Sequence, residues 1–214
     1  MSEFGNAGPE TAVFRTPDDR LVVEIKLLAG WPRDDLSQLI AEAREAAADV
    51  VWVQGFFVDT GLGFMRRGGY ARLEADRATD KVELARPPHS VVRTLQSASY
   101  SGVWGHREPA EPDQSATFVG LHEDERWVGI CEYDAEARLI GSPGVIPELR
   151  APDRFARLVR GAAARIATCP LTLETWGDSD EVIAAYEQLG FRLVEYIPGW
   201  ELELGAGEVP ETPF

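Results

Sequence analysis

The sequence is poor in cysteine and in basic residues, and it lacks a long hydrophobic run. Its two cysteines, Cys131 and Cys169, are too few for a disulfide framework, and their spacing matches no metal-binding signature. No apolar stretch approaches the ~20 residues of a membrane span, and the polar N-terminus has no signal-peptide core. These absences predict a cytoplasmic protein with reduced thiols.

The charge balance is strongly acidic. The 214 residues include 21 Lys and Arg against 36 Asp and Glu, which gives a net charge of −15. A protein that binds nucleic acid needs a basic face to neutralise phosphates, and an anionic membrane surface disfavours an acidic protein. We therefore expect neither partner. A cationic or amine substrate would be attracted, although acidity also serves solubility.

Neither the histidines nor the glycines form a recognisable binding motif. His89, His106 and His122 are scattered over segments that we interpret as loops, and they lack metal-ligand spacing. We therefore predict no metal site. The glycine-rich stretch 55–69 lacks the spacing of a P-loop or of a dinucleotide-binding fingerprint.

The hydrophobic pattern divides the chain into two units. A charged segment that ends in a proline pair separates residues 11–86 from residues 87–206, and residues 1–10 and 207–214 are expected to be tails. The order strand–helix–strand–helix–strand occurs in both units and suggests a faint internal repeat. We therefore predict an α/β protein with a mixed, twisted sheet.

Several elements are predicted from local patterns. Residues 11–15 and 21–28 flank turn chemistry and predict a hairpin. Tight polar connections predict an antiparallel meander of three strands at 116–121, 127–133 and 138–145. The last two strands are expected at 191–196 and 200–204, and Asp59-Thr60 is expected to cap a short helix that stops at Gly68.

Two segments of the second unit resemble motifs of the GCN5-related N-acetyltransferase (GNAT) family. The segment 145–150, VIPELR, follows a strand and precedes a helix, where family members often read V-x-P-E-Y-R and then G-x-G-x-G. The segment 185–191, AYEQLGF, is close to the family's L-Y-E-K-L-G-F. The resemblance implies a GNAT-like fold over residues 90–204, preceded by a partial GNAT-like unit.

The resemblance implies that acetyl-CoA lies in a wedge between two splayed strands. Its pyrophosphate would rest on the start of the following helix, where free backbone N–H groups and the helix dipole favour an anion. The residues expected to contact acetyl-CoA are Val145, Arg150, Ala151, Arg154, Phe155 and Ala156.

The expected pyrophosphate turn departs from the family pattern. Ala151, Asp153 and Phe155 stand where the family has glycines, so a negative charge and a bulky ring replace a close backbone approach. One alternative is a lost cofactor site. The other is a site rebuilt by nearby arginines, namely Arg150, Arg154 and Arg157. These arginines also fit the solvated face of an amphipathic helix.

The resemblance also suggests catalytic residues. Tyr186 matches the tyrosine that returns a proton to the departing CoA thiolate, and a phenol pKa of about 10 suits that transfer. A base must deprotonate the amine, and Glu132 and Glu174 are candidates because they lie on or at the ends of predicted central strands.

The sequence thus predicts an acetyl-CoA-dependent N-acetyltransferase that acts on a small amine by direct transfer. The alternative is a catalytically degenerate GNAT-fold module for binding or dimerisation, which has lost acetyl-CoA binding. A homodimer is compatible with either function. Fold alone does not decide between them.

Overall fold

The computed structural model describes residues 10–26, 33–56, 60–76, 82–108 and 116–205. Within these residues the chain forms ten strands and four α-helices. The strands are β1 (Glu10–Arg15), β2 (Leu21–Lys26), β3 (Val50–Gln54), β4 (Met65–Ala75), β5 (Thr117–Glu123), β6 (Arg126–Asp134), β7 (Leu139–Ile140), β8 (Gly144–Val145), β9 (Leu171–Trp176) and β10 (Arg192–Glu203). The α-helices are α1 (Arg33–Glu45), α2 (His89–Tyr100), α3 (Pro152–Ala163) and α4 (Asp180–Gln188).

All ten strands join one open, mixed sheet. Their order is β1-β2-β3-β10-β4-β9-β7-β6-β5, and β8 pairs with β6 beside this path. The pairs β2–β3 and β7–β9 are parallel, whereas the other neighbours are antiparallel. The predicted α/β class with a mixed sheet is confirmed.

The strands β4 and β10, here called the exchanged strands, each lie between strands from the other half of the chain. The C-terminal strand β10 pairs with β3 on one side and with β4 on the other, while β4 pairs with β9. As a result β10 contributes Leu202 to a hydrophobic core built by β2, β3 and α1. In return β4 contributes Ala71 and Leu73 to the larger core under α2, α3 and α4. Each core therefore needs a strand from the other part of the chain.

The meander and the N-terminal hairpin form as predicted. Strands β1 and β2 pair over Glu10–Arg15 and Leu21–Lys26, and β5, β6 and β7 follow one another antiparallel. The predicted strand 138–145 is two short strands, β7 and β8. The last two predicted strands form one long strand, β10, whose register against β4 shifts twice.

The predicted short helix before Gly68 is wrong. Thr60–Leu62 form a single 3₁₀ turn, and β4 begins at Met65, because Met65–Gly69 find a strand partner in β10. Asp59 lies outside the described residues. The boundary at residue 86 and the two tails stay predictions. Within the described residues, no helix is long and apolar enough to cross a membrane.

Candidate functional site

The sheet opens between β8 and β9. Strand β7 pairs with the first half of β9 through Ile140 and Leu173, but the chain then turns away, and β8 pairs with β6 instead. Ser142 lies in the resulting gap, where its Oγ is 3.2 Å from Oγ1 of Thr175 and accepts a hydrogen bond of 3.3 Å from the backbone N–H of Trp176. The wedge implied by the resemblance is thus present as a gap that contains polar side chains.

A cleft of about 560 Å³ lies beside this gap. Its walls include the starts of α3 and α4, the end of α2 and the exchanged strand β10. The charged residues in its lining are Arg20, Arg67, Arg150, Asp178, Glu181, Glu201 and Glu203. Carboxylates therefore outnumber guanidinium groups in the cleft by one, which favours a basic acceptor over an acidic one.

Most of the arginines near the cleft are already paired. Arg20 binds both carboxylate oxygens of Glu203, at 2.8 and 2.9 Å, and Arg67 donates to the buried Glu201 at 3.2 Å. On α3, Arg154 and Arg157 both pair with Glu123 of β5. These ion pairs leave little cationic charge for phosphate.

Arg150 lies between the strand gap and the start of α3. Its Nε donates to the carbonyl of Val145 at 3.1 Å, and its Nη2 donates to the carbonyls of Ser99 and Ser101. Among the described residues, no hydrogen bond is made by its Nη1, so this nitrogen can serve a ligand. Arg150 also lines the cleft, so a guanidinium group with donors available to a ligand lies beside Ala151.

The start of α3 presents few free N–H groups. Pro152 has none, and the amides of Arg154 and Phe155 both donate to the carbonyl of Ala151. Ala151 and Phe155 line the cleft, and the Phe155 side chain is otherwise buried against the core. This turn therefore lacks the glycine cradle of the family pattern.

A buried carboxylate stands between the cleft and α4. Asp178 is 7% exposed, lines the cleft and accepts hydrogen bonds at Oδ2 from Thr175 and, at 2.8 Å, from the hydroxyl of Tyr186. Burial raises the pKa of Asp178 to about 6, although both hydrogen bonds favour the charged form. Burial and the nearby Asp178 raise the pKa of the fully buried Tyr186 well above its usual value.

The hydrogen bonds continue through the strand gap to a histidine. The Oγ of Ser142 is 3.2 Å from Nε2 of His106, and the ring of His106 stacks on Tyr100 at 4.1 Å between centroids. Burial lowers the pKa of His106 to about 4, so the ring is neutral at pH 7. The described residues contain no cluster of three or more His, Cys, Asp or Glu side chains that could hold a metal ion.

The structure separates the three predicted catalytic residues. Tyr186 and Glu174 lie on opposite faces of the sheet, because successive residues of a strand alternate and Thr175, next to Glu174, donates to the same Asp178 oxygen as Tyr186. Glu174 accepts a hydrogen bond of 3.1 Å from Tyr70. Glu132 is an exposed residue of β6. Neither glutamate is among the residues that line the cleft.

The predicted cofactor contacts divide into two groups. Arg150, Ala151 and Phe155 line the cleft, whereas the other three do not. Val145 is fully buried in β8 and offers its carbonyl to Arg150, and Arg154 turns towards Glu123. The remaining residue, Ala156, follows Phe155 on α3. The structure therefore brings together Arg150, Ala151 and Phe155 around the start of α3, but not the other three predicted contacts.

Sequence reasoning missed Asp178, Thr175 and Ser142, and it interpreted His106 as an ordinary loop residue. Each is a common polar residue at the end of a strand or in a loop, so none carries a motif. The one available signal was the short Gly-Asp-Ser segment between β9 and α4. Ser179 caps α4 by accepting from the backbone N–H of Val182, and this fixes Asp178 just ahead of the helix.

Solved structures with the same chain path include acetyltransferases. A GCN5-related N-acetyltransferase from Sphaerobacter thermophilus has 13% identity and a TM-score of 0.51 and matches over 95% of this chain and 79% of its own. A candidate acetyltransferase from Pyrococcus horikoshii has 11% identity and a TM-score of 0.55, over 91% and 69%. The chain has the GNAT fold.

A third similar structure has the same fold without a known activity. It is a conserved protein of unknown function from Staphylococcus epidermidis, with 10% identity and a TM-score of 0.56, and the match covers 93% of both chains. No protein-family profile matches this sequence, and no curated protein matches it either. The resemblance to GNAT motifs is thus supported at the level of fold, while the activity has to be argued from the site.

Proposed function

We propose that this GNAT-fold protein is an acetyl-CoA-dependent N-acetyltransferase that transfers the acetyl group directly to a small amine. The observation that carries the proposal is the cleft, which runs from the start of α3 past the strand gap to Asp178. A thioester at this gap and an amine in the same cleft would react without a covalent enzyme intermediate. The excess of carboxylates in the lining supports a cationic amine as the acceptor.

An unpartnered buried hydroxyl supports a polar ligand in this cleft. The Oγ of Ser99 is buried and has no hydrogen-bond partner among the described residues, and Ser99 lies in the cleft wall. An amide of a pantetheine arm could satisfy this hydroxyl, whereas leaving it unpaired costs about 1–3 kcal/mol. Nη1 of Arg150 would contact a phosphate near the start of α3.

The chain's own groups supply proton chemistry at the gap. Tyr186 has a raised pKa and remains a phenol at neutral pH, so its hydroxyl keeps the proton that it donates to Asp178. Its hydroxyl meets the cleft through Asp178. The hydroxyl groups of Ser142 and Thr175 meet across the gap at 3.2 Å.

The second candidate function is a degenerate GNAT-fold module. The start of α3 favours it, because Pro152 lacks an N–H group and Asp153 adds a negative charge where a diphosphate would lie. Arg154 cannot offset that charge without leaving Glu123. Such a module would retain the fold and the exchanged strands and would not bind acetyl-CoA.

Calorimetric titration with acetyl-CoA separates the two functions. An acetyltransferase should bind saturably in the micromolar range, and Arg150→Gln should weaken binding by roughly tenfold through the lost charged hydrogen bond. Arg157→Gln is the matched control. Arg157 lies on α3 but pairs with Glu123 of β5, so this substitution should leave the affinity for acetyl-CoA unchanged. Thermal unfolding of each variant checks that the fold is intact.

Two results would decide against the acetyltransferase. The absence of binding at millimolar acetyl-CoA would favour the degenerate module. Binding without release of CoA thiol in the presence of small primary amines would exclude transfer to this acceptor class.

A further inference from the structure

Two side chains hold Asp178 by hydrogen bonds and leave it one face towards the cleft. Thr175 donates from β9 and Tyr186 donates from α4, and the hydrogen bonds that described residues make to this carboxylate both fall on Oδ2. Thr175 and Tyr186 are fully buried. Asp178 is therefore the titratable group through which this buried network meets the cleft.

We propose that Asp178 is the proton carrier of the transfer: its carboxylate takes the proton from the acceptor amine, and the resulting carboxyl gives it to the departing thiolate. This inference rests on the proposed acetyltransferase function and adds a catalytic residue to it. Tyr186 then acts by holding Asp178, and it loses no net proton.

The step balances with one proton and no further reactant. The cationic amine first releases one proton to solvent. Its neutral nitrogen then forms a bond to the acyl carbon, while the bond between that carbon and sulfur breaks. The proton that the nitrogen loses moves to Asp178, and the thiolate then receives it. The carboxylate is restored for the next cycle, and the products are an amide and a thiol.

The donor–acceptor pattern assigns a direction to the hydrogen bonds through the gap. A charged Asp178 requires the Thr175 hydroxyl proton, so Thr175 can only accept from Ser142. Ser142 then uses its hydroxyl proton in the bond to Thr175, and its contact with His106 is a hydrogen bond in the tautomer that carries the ring proton on Nε2. The chain His106–Ser142–Thr175 thus points its donors at Asp178 and favours the carboxylate form.

The hydrogen-bonded series His106–Ser142–Thr175 does not remove the proton from Asp178. The pKa of His106 is lowered to about 4, whereas that of Asp178 is raised to about 6. A proton therefore stays on Asp178 rather than moving to the imidazole. His106, Ser142 and Thr175 are positioning residues, and they adjust how strongly Asp178 holds its proton.

The surroundings of Asp178 suit it to accept and release a proton near neutral pH. Burial opposes its charge, and the neighbouring Arg150 favours it. The titratable and charged groups around it are Arg150, Glu181, Tyr186, Tyr100, Cys131 and, through the hydroxyl chain, His106. A group with a pKa near 6 can accept a proton at pH 7 and still release it to a thiolate.

The test is the pH profile of turnover together with a carboxyl titration that does not depend on turnover. Acetyl transfer to a small primary amine is measured from pH 5 to 9, and the Asp178 carboxyl is followed by carbon-13 NMR and assigned with Asp178→Asn. The wild type should lose rate below a midpoint near 6. Asp178→Asn should lose at least a hundredfold in kcat.

Thr175→Val supplies a variant that keeps the shape and removes one donor. It should raise both the carboxyl midpoint and the acid limb of the rate by roughly one pH unit. Thr172→Val is the matched control, because it makes the same change on β9 on the other face of the strand, and it should shift neither. A merely structural role of Thr175 would not move the two midpoints together.

The outcomes distinguish this inference from the function on which it rests. Turnover of Asp178→Asn within a few-fold of an active wild type would overturn the inference and leave the acetyltransferase standing. A pH profile of Thr175→Val that coincides with that of the wild type would also overturn the inference. A loss of turnover in Glu174→Gln that Asp178→Asn does not show would do the same. A wild type that neither binds acetyl-CoA nor releases CoA overturns the proposed function, and the inference with it.

Discussion

The phenolic oxygen of Tyr186 lies 2.8 Å from Oδ2 of Asp178, and both groups are buried between α4 and the sheet. The tyrosine comes from a motif visible in the sequence, whereas the aspartate has no motif. Tyr186, the predicted general acid, therefore reaches the cleft only through Asp178. The tertiary structure, not a sequence motif, places Asp178 at this position.

Asp178 should give folding a specific pH dependence. Burial raises its pKa to about 6 from 3.8, so the folded protein binds this proton more tightly than the unfolded chain does. The stabilising effect is complete below pH 4 and is lost as the pH rises through 6. Relative to Asp178→Asn, the wild type should lose about 2 kcal/mol of unfolding free energy between pH 4 and 7.

Urea unfolding of both proteins at a series of pH values measures this difference. The two proteins differ by a constant offset from the lost hydrogen bonds, which does not depend on pH. Parallel stability profiles between pH 4 and 7 would show that Asp178 titrates alike in the folded and unfolded states.

Tyr186→Phe should lower kcat by roughly tenfold or more, because the variant loses a donor to the catalytic carboxyl. The affinity for acetyl-CoA should change little, since Tyr186 does not line the cleft. Steady-state kinetics and calorimetry measure the two effects separately. Tyr133→Phe on β6 is the control, and an unchanged turnover in Tyr186→Phe would remove Tyr186 from the mechanism.

Gly69→Ala should destabilise the exchanged strands. A Cβ at Gly69 would overlap the carbonyl oxygen of Ile197 and lie 3.0 Å from the backbone of both Pro198 and Gly199 on β10. Because backbone atoms cannot rotate away, we expect a loss of roughly 1–3 kcal/mol in unfolding free energy. Gly205→Ala, which has no atom within 4 Å of its Cβ position, should be neutral. Equal melting temperatures for the two variants would contradict this packing.

Glu174→Gln should lower the pKa of Tyr70. Burial and the carboxylate of Glu174, 3.1 Å from the hydroxyl, together raise that pKa to about 12. With the charge removed and burial retained, the pKa should fall but stay above 10. Ultraviolet titration of the phenolate measures it, with Tyr70→Phe to assign the signal. An unchanged midpoint would mean that Glu174 does not interact with Tyr70.

The elements with strong local patterns were predictable from the sequence. The stripe of α3, the cap of α4 at Ser179 and the β5–β6–β7 meander are set by spacing and turn residues within a short window. The GNAT motifs at 145–150 and 185–191 identified the fold for the same reason, because each motif is contiguous.

The features that depend on distant residues were not predictable. Residues 65–69 belong to β4, and the predicted strands 191–196 and 200–204 form the single strand β10 (Arg192–Glu203), because β4 and β10 pair with each other across more than a hundred residues. The bases Glu132 and Glu174 were chosen as strand-end carboxylates, but facing and burial depend on which strands are neighbours.

The sequence by itself determined the class of sheet, the position of α3 and α4, the tyrosine at 186 and the loss of glycines after Arg150. Only the tertiary structure decided that Arg154 and Arg157 are held by Glu123, and that Asp178, Thr175, Ser142 and His106 meet in one strand gap. Local structure follows from interactions between near neighbours, which a sequence displays directly. Burial and hydrogen-bond partners follow from how separate segments pack, and these in turn set the pKa of Asp178.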